Sequence, residues 1–424
     1  MCPLWAAQTQ LLLTWYAIFS GEEDIVSTAM VDYGFFTLVY RSTRRGLDQK
    51  APRSTDMPWK EWAFWESWKR VLGAIFIIST LSVVMFDVNP SFNTVHDLDF
   101  DTLDDERLWN AVSEAEWRGL RTLPRENDRR SIRDVVTGLV SGDATEPCQE
   151  PYHISALTTL IVIYGIVVYI WQATTVAETF EPLGQSPTAQ PNALASALLH
   201  TASQALARCH ELLSQACANR GSALGDRMET SLLFNCQCVL RIAYIRMFTS
   251  TSILSRPSFV AFDDAAVESA ISHFVSGSEK RRPGILKAVE AAFEGFRVSV
   301  NMGHMLVRKT AALRWSLEHA VAGWDCALFV TKWVHSVEID ALNGVPPDAE
   351  ESRLLTSVRE VLEEADYEAL NDTSLAAGLA KTWSAFLNDV WVWGITPRMG
   401  SMLSQLATAY EGVYDKHRGS RVIS

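Results

Sequence analysis

An all-α protein, built as a multi-helix globular bundle, is predicted by three features of this 424-residue chain. Glycine (22) and proline (15) are sparse, so few positions interrupt or kink a helix. Apolar residues recur at spacings of three and four along most of the length. No stretch alternates β-branched and polar residues for long enough to predict a strand. With 48% hydrophobic and 21% charged residues, the chain can bury a large core. That composition excludes collagen-like, disordered and low-complexity classes. The net charge of −13 argues against a generic grip on nucleic acid, which needs a positive surface.

The elements follow in order. Residues 4–19 and 24–44 read as a helix pair turned at Ser20-Gly21. Residues 57–86 read as one long helix with Pro58 at its start. Its inner stripe is Trp65, Trp68, Leu72, Ile75 and Phe76. Glu66 and Arg70 lie one turn apart and are expected on its outer side as a surface pair. Asn89-Pro90 ends it. Residues 87–118 carry nine acidic residues against two arginines, more than half of the net charge, and are expected to be a solvated loop. Its later part, Asp105 to Leu120, reads as a helix with Trp109 and Trp117 facing in. A basic stretch with Arg121, Arg125, Arg129, Arg130 and Arg133 reads as a surface helix.

Residues 152–178 read as a helix apolar on all sides, and Pro182 to Asn192 as a linker. Helix continues over 193–255, 259–275 and 284–340, with a break at Gly277 to Gly284. After the loop Asn343 to Asp348, segments 350–364 and 374–418 close the chain. The expected organisation is a helical core over 1–180, a linker over 181–192, and a C-terminal helical part of the same region over 193–424.

Two stretches are apolar enough to raise a membrane span, Val71 to Phe86 and Pro151 to Ala177. The first is short for a bilayer. The second carries His153, Gln172 and several threonines, and no Lys or Arg cluster flanks it. Both are therefore read as core helices, with an integral membrane protein kept as an alternative. Leu11 to Phe19 lacks the preceding basic residue and the following cleavage site of a signal peptide.

No catalytic pattern appears. Phosphate loops, the nucleophile elbow and the zincin motif are absent from the sequence. The seven cysteines are odd in number and irregular in spacing, which suits buried thiols rather than disulfides or zinc. His153, His319 and His335 sit in helical or apolar contexts. One acidic cluster, Asp101, Asp104, Asp105 and Glu106, is similar to the magnesium motif of all-α terpene cyclases, but the second metal motif is missing. An α-helical metabolite-pathway enzyme of that type is the enzymatic alternative. No catalytic, cofactor-binding or metal-binding residue is nominated.

Four motifs in fixed order carry a resemblance. Leu11 to Gly21 leads to a helix that contains Tyr40-Arg41 and Gly46-Leu47. Next comes Trp59-x-x-Trp62-x-x-x-Glu66-x-x-Lys69-Arg70. Asn89-Pro90 then precedes Leu108-Trp109-Asn110-Ala111 and Glu116-Trp117. Near the end stand Trp383 and Trp391-x-Trp393-Gly394-Ile395. This order resembles the fungal-specific transcription factor regulatory domain, the middle homology region, most closely in the branch attached to two-Cys, two-His zinc fingers. The core motifs cover residues 4–180, and the Trp-rich ending extends the likeness to about 415.

The resemblance implies a non-enzymatic transcriptional regulator in the nucleus, controlling a fungal metabolic or secondary-metabolite gene cluster. It implies that Trp59, Trp62, Glu66, Lys69, Arg70, Trp109, Trp117, Trp391 and Trp393 are structural. It implies protein partners or a homodimer, an effector of unknown chemistry, no cofactor, no membrane and no specific DNA contact by this chain alone. Two departures stand out. The family's zinc-bound DNA-reading module is not in the sequence, so an N-terminal truncation is expected. Leu103-Asp104-Asp105 also replaces the family's usual Leu-Pro-Cys.

Overall fold

A computed structural model describes residues 3–31, 33–50, 57–121, 130–142, 152–180, 193–218, 227–248, 263–277, 284–302, 316–365, 373–390 and 392–423. Among these the structure is all-α, with sixteen helices and no strand. The chain divides into two compact units. One comprises Met1–Ile18, Asp24–Val83 and Val88–Ala243; the other comprises Phe19–Glu23, Val84–Asp87 and Tyr244–Ser424. The expected linker at 181–192 and most of the basic stretch, 122–129, lie outside the described residues.

Helices α1 (Leu4–Ile18), α2 (Glu23–Val31), α3 (Tyr33–Lys50) and α4 (Trp59–Phe86) open the chain. The predicted second helix, 24–44, is helical on both sides of residue 32, which lies outside the described residues. Two short helices, α5 (Glu106–Trp109) and α6 (Glu114–Arg121), replace the single helix predicted over 105–120. Asp105 caps α5 by accepting the Arg107 backbone N–H at 2.8 Å. The helix α7 (Ile132–Ser141) starts at a capping box of Ser131 and Asp134. After it come α8 (Ala156–Phe180), α9 (Ala193–Ala218) and α10 (Arg227–Phe248).

The first unit is organised on α4 and α8. Both are long and apolar enough to cross a membrane, and 78% and 72% of their most apolar windows are buried inside the protein. On α8, Leu160 to Val168 are buried on every side. This is the expected behaviour of an apolar helix inside a large α-helical core. Its threonines are satisfied locally: Thr159 donates to Ser155 O at 3.0 Å and Thr174 to Ile170 O at 2.9 Å. At Gly73 on α4, an added Cβ would meet the terminal methyl of Ile161 on α8, which would have to turn aside.

The second unit contains α11 (Asp264–Ser276), α12 (Ile285–Met302), α13 (Leu317–Leu342), α14 (Ala349–Glu364), α15 (Leu375–Asp389) and α16 (Ile395–Ile423). The segment predicted as one helix over 374–418 is broken between Asp389 and Ile395. The segment predicted over 284–340 gives α12 and α13, and 303–315 lie outside the described residues.

α13 is the axis of this unit, buried almost throughout from Leu317 to Val337. It packs against α12, α15 and α16. Buried Lys332 on α13 donates to the terminal carbonyls of α11, at Phe274, Val275 and Gly277. One turn and a half further on, Glu338 accepts from the N-terminus of α15: Leu375 N–H at 2.7 Å, Ser374 Oγ at 2.8 Å and Ala376 N–H at 3.3 Å. A cation at a helix C-terminus opposes the dipole's end charge, and the Glu338 carboxyl oxygens accept N–H groups that a helix N-terminus leaves unpaired. One helix thereby ties down two others.

Burial pushes the Glu338 carboxyl from its ordinary 4.5 up to about 7, against the lowering effect of its helix N–H and Ser374 donors. The folded state therefore holds a proton that the unfolded state has released between those values. Glu338's contribution is full below pH 4.5 and lost as pH rises through about 7. Burial and the charge of Lys332 push neighbouring His335 the other way, from 6.5 to about 4, and its contribution is lost as pH falls through that interval. A Glu338→Gln variant removes only the first effect. Its stability relative to the wild type should rise steadily as pH is raised from about 5 to about 8, read as the difference in melting temperature. A pH-independent difference would contradict the assignment.

Candidate functional site

The charged and aromatic residues singled out on α4 converge on the acidic segment. Glu66, expected on the outer side of α4, is 1% exposed. Its Oε2 lies 2.6 Å from Lys69 Nζ, its Oε1 lies 3.1 Å from Arg70 Nε, and the same Oε1 accepts the backbone N–H of Asp104 at 3.1 Å. The Glu66–Arg70 spacing predicted an ion pair, and the pair forms. Its location is wrong in the sequence reading because the acidic segment folds over it.

Lys69 and Arg70 also reach that segment, donating to Thr102 O at 3.1 Å and Asp104 O at 3.2 Å. Trp62 is buried and its indole N–H donates to Asp104 Oδ2 at 2.6 Å. Buried Glu106 lies 3.9 Å from Arg70 and accepts the Leu157 N–H at the start of α8 at 3.3 Å. The Arg70 guanidinium stacks 4.4 Å above the Trp109 ring. Trp62, Leu108 and Trp117 form a small core, with Trp59 and Leu120 packed against it. The Trp62 and Trp117 rings lie 5.5 Å apart.

A second anchor precedes it. Asp97, 3% exposed, takes Arg41 Nε at 3.2 Å and the Asn93 N–H at 2.8 Å, while Tyr40 Oη donates to its backbone oxygen at 2.7 Å. Burial, then the nearby Asp97 charge, raises the Tyr40 hydroxyl well above its ordinary range. Arg133 pairs with Asp99 at 2.8 Å. The expectation of a solvated acidic loop is therefore corrected. Leu98, Phe100 and Leu103 are buried, and between them the carboxylates meet cations and N–H donors from α3, α4 and α7.

The last motif meets the first within the second unit. Ile395 N–H donates to Phe19 O at 3.2 Å. Gly21 has φ +75°, and the backbones at Ser20-Gly21 and Gly394 approach so closely that a Cβ on either glycine would overlap the opposing carbonyl. Trp383 is buried with its ring 4.2 Å from Phe296. Trp393 is half-buried, and Trp391 lies outside the described residues.

Chemically, this arrangement positions segments rather than reactants. Asp104 faces Trp62, Asp105 caps α5 and pairs with Arg107 at 3.1 Å, and Glu106 faces Arg70 and α8, so these carboxylates do not converge on one point. Among the described residues no group of three His, Cys, Asp or Glu is placed to hold a metal ion. Cys209 is buried and burial pushes its thiol up to about 12, far from a nucleophile's range. Asp97 and Asp104 are anchors that sequence reasoning missed. The apolar residues Leu98, Phe100 and Leu103 set among the carboxylates were the available signal, since side chains of that kind are held against a core.

Two family models match the chain. The fungal specific transcription factor domain matches residues 1–204, and the fungal transcription factor C-terminal domain matches residues 255–405. No curated protein and no solved structure matches it.

Proposed function

This chain belongs to the fungal-specific transcription factor domain family, and we propose that it controls a fungal metabolic or secondary-metabolite gene cluster through its helical regulatory region. Both domains are fungal transcription factor domains, which supports a transcriptional regulator. The succession of both domains in one chain is the observation that carries the reading.

The reading extends to place and partners. The protein acts in the nucleus, through contacts with other proteins, and a small effector remains compatible with this role. We assign DNA reading to a module or partner other than this chain, since a net charge of −13 works against phosphate contacts.

The test is a fusion of the 424-residue chain to an unrelated bacterial DNA-binding module, assayed on a reporter carrying that module's site in a filamentous fungus. Reporter transcription should change severalfold in either direction, whereas the unfused chain should give no sequence-specific gel shift at physiological salt. An inert fusion that is expressed and nuclear would contradict the proposal, as would a specific shift by the unfused chain.

A further inference from the structure

Helix α1 has two apolar faces. Ala7, Leu11, Thr14 and Ile18, at spacings of four and three, are buried in the protein. The opposite face carries the larger side chains, and they are exposed: Trp5 70%, Leu12 69%, Tyr16 63% and, at its flank, Leu13 58%. Trp5, Leu12 and Tyr16 are seven and four residues apart, so they share one stripe. Thr9 lies in the middle of that stripe, its hydroxyl already donating to Trp5 O at 2.9 Å. All fifteen residues of the helix, LWAAQTQLLLTWYAI, are uncharged.

We propose that this outer face of α1 is a self-association surface, on which a second copy of the chain docks α1 against α1 about a two-fold axis. Two observations select a second copy. The first is charge. Two molecules of net charge −13 repel each other over most approaches, and a helix without Asp, Glu, Lys, Arg or His is a place where they can meet without opposing like charges. The second is area. The four exposed side chains offer roughly 500–600 Å² per copy, so an isologous pair buries about 1,000–1,200 Å², the lower bound for a specific protein interface. A patch of that size is at the upper end for a monomer. Trp and Tyr at its centre are also the residue types that dominate binding energy at interfaces. A lipid surface fits less well. Interfacial helices pair their apolar face with Lys or Arg, of which α1 has none, and an acidic chain is repelled by anionic headgroups.

The inference stands on the face itself and holds whether or not the chain regulates transcription. Sedimentation velocity of the full chain at about 10 μM, where a micromolar dimer is populated, should give twice the 47.3 kDa chain mass. The double variant Leu12→Asp, Tyr16→Asp changes only exposed positions and should sediment at the chain mass with unchanged helical circular dichroism. A Thr9→Cys variant with a short bis-maleimide should give a covalent dimer well above the level that exposed Cys217 gives in the parent. The cross-link keeps the test decisive if the double variant misfolds. A monomeric parent, a dimer that survives both aspartates, absence of the Thr9→Cys cross-link, or flotation with anionic vesicles without self-association would each overturn the proposal.

Discussion

Gly394→Ala is expected to destabilise the second unit by about 3–5 kcal/mol, among the largest effects a single methyl group can have. The added carbon would occupy the place of the Ser20 carbonyl oxygen. A backbone atom cannot rotate aside as a side chain can. The turn at 19–23 must move away, taking with it the hydrogen bond from Ile395 N–H to Phe19 O. Gly21→Ala should cost a similar amount, because it meets Gly394 O from the other side and also forces a side chain into φ +75°. The two losses describe one contact, so the double variant should fall well short of their sum. Thermal unfolding and hydrogen exchange at the Ile395 amide provide the readouts. A Gly394→Ala protein with an unchanged melting temperature and a protected Ile395 amide would refute this packing.

Glu66→Ala should cost the first unit about 3–5 kcal/mol, the usual result of removing one partner from a buried ion pair. For a unit of this size that lowers the melting temperature by roughly 10 °C. Glu66 is the acceptor for Lys69, Arg70 and the Asp104 N–H at once. Its loss leaves two enclosed cations and a buried amide short of a partner. Glu66→Gln keeps one acceptor oxygen for Asp104 and should cost about half as much. Added salt should not reduce the difference, since enclosed pairs are poorly screened. A cost below about 1 kcal/mol would place the pair on the surface, where such bridges contribute little.

The sequence made α8 legible because a long uncharged apolar run has few soluble solutions other than the middle of a core. Glu66 was misplaced for the complementary reason. A Glu and an Arg one turn apart describe a local pair, and nothing local states whether another segment will cover it. The covering segment begins 38 positions later at Asp104, a separation that periodicity over a few turns cannot see. The splitting of α15 from α16 was missed because the apolar spacing continues through it. The approach of Gly394 to Ser20-Gly21 joins the two ends of the chain, so each glycine alone read only as a turn or as part of a Trp-rich motif. Motif order proved more informative than any motif's own pattern: Tyr40-Arg41 meets Asp97, the Trp62 to Arg70 run meets residues 102–106, and the final motif meets the first.

The Trp62 to Arg70 signature fastens the acidic segment to the helical core. The most direct test is a double-mutant cycle on Trp62→Phe and Asp104→Asn, with unfolding free energies from urea titrations followed by tryptophan fluorescence, each with and without Mg²⁺. The hydrogen bond between the buried indole and the Asp104 carboxylate predicts a coupling of about 1–2 kcal/mol, unaffected by the metal. Additive losses within about 0.5 kcal/mol, or stabilisation by Mg²⁺ that disappears in Asp104→Asn, would contradict it.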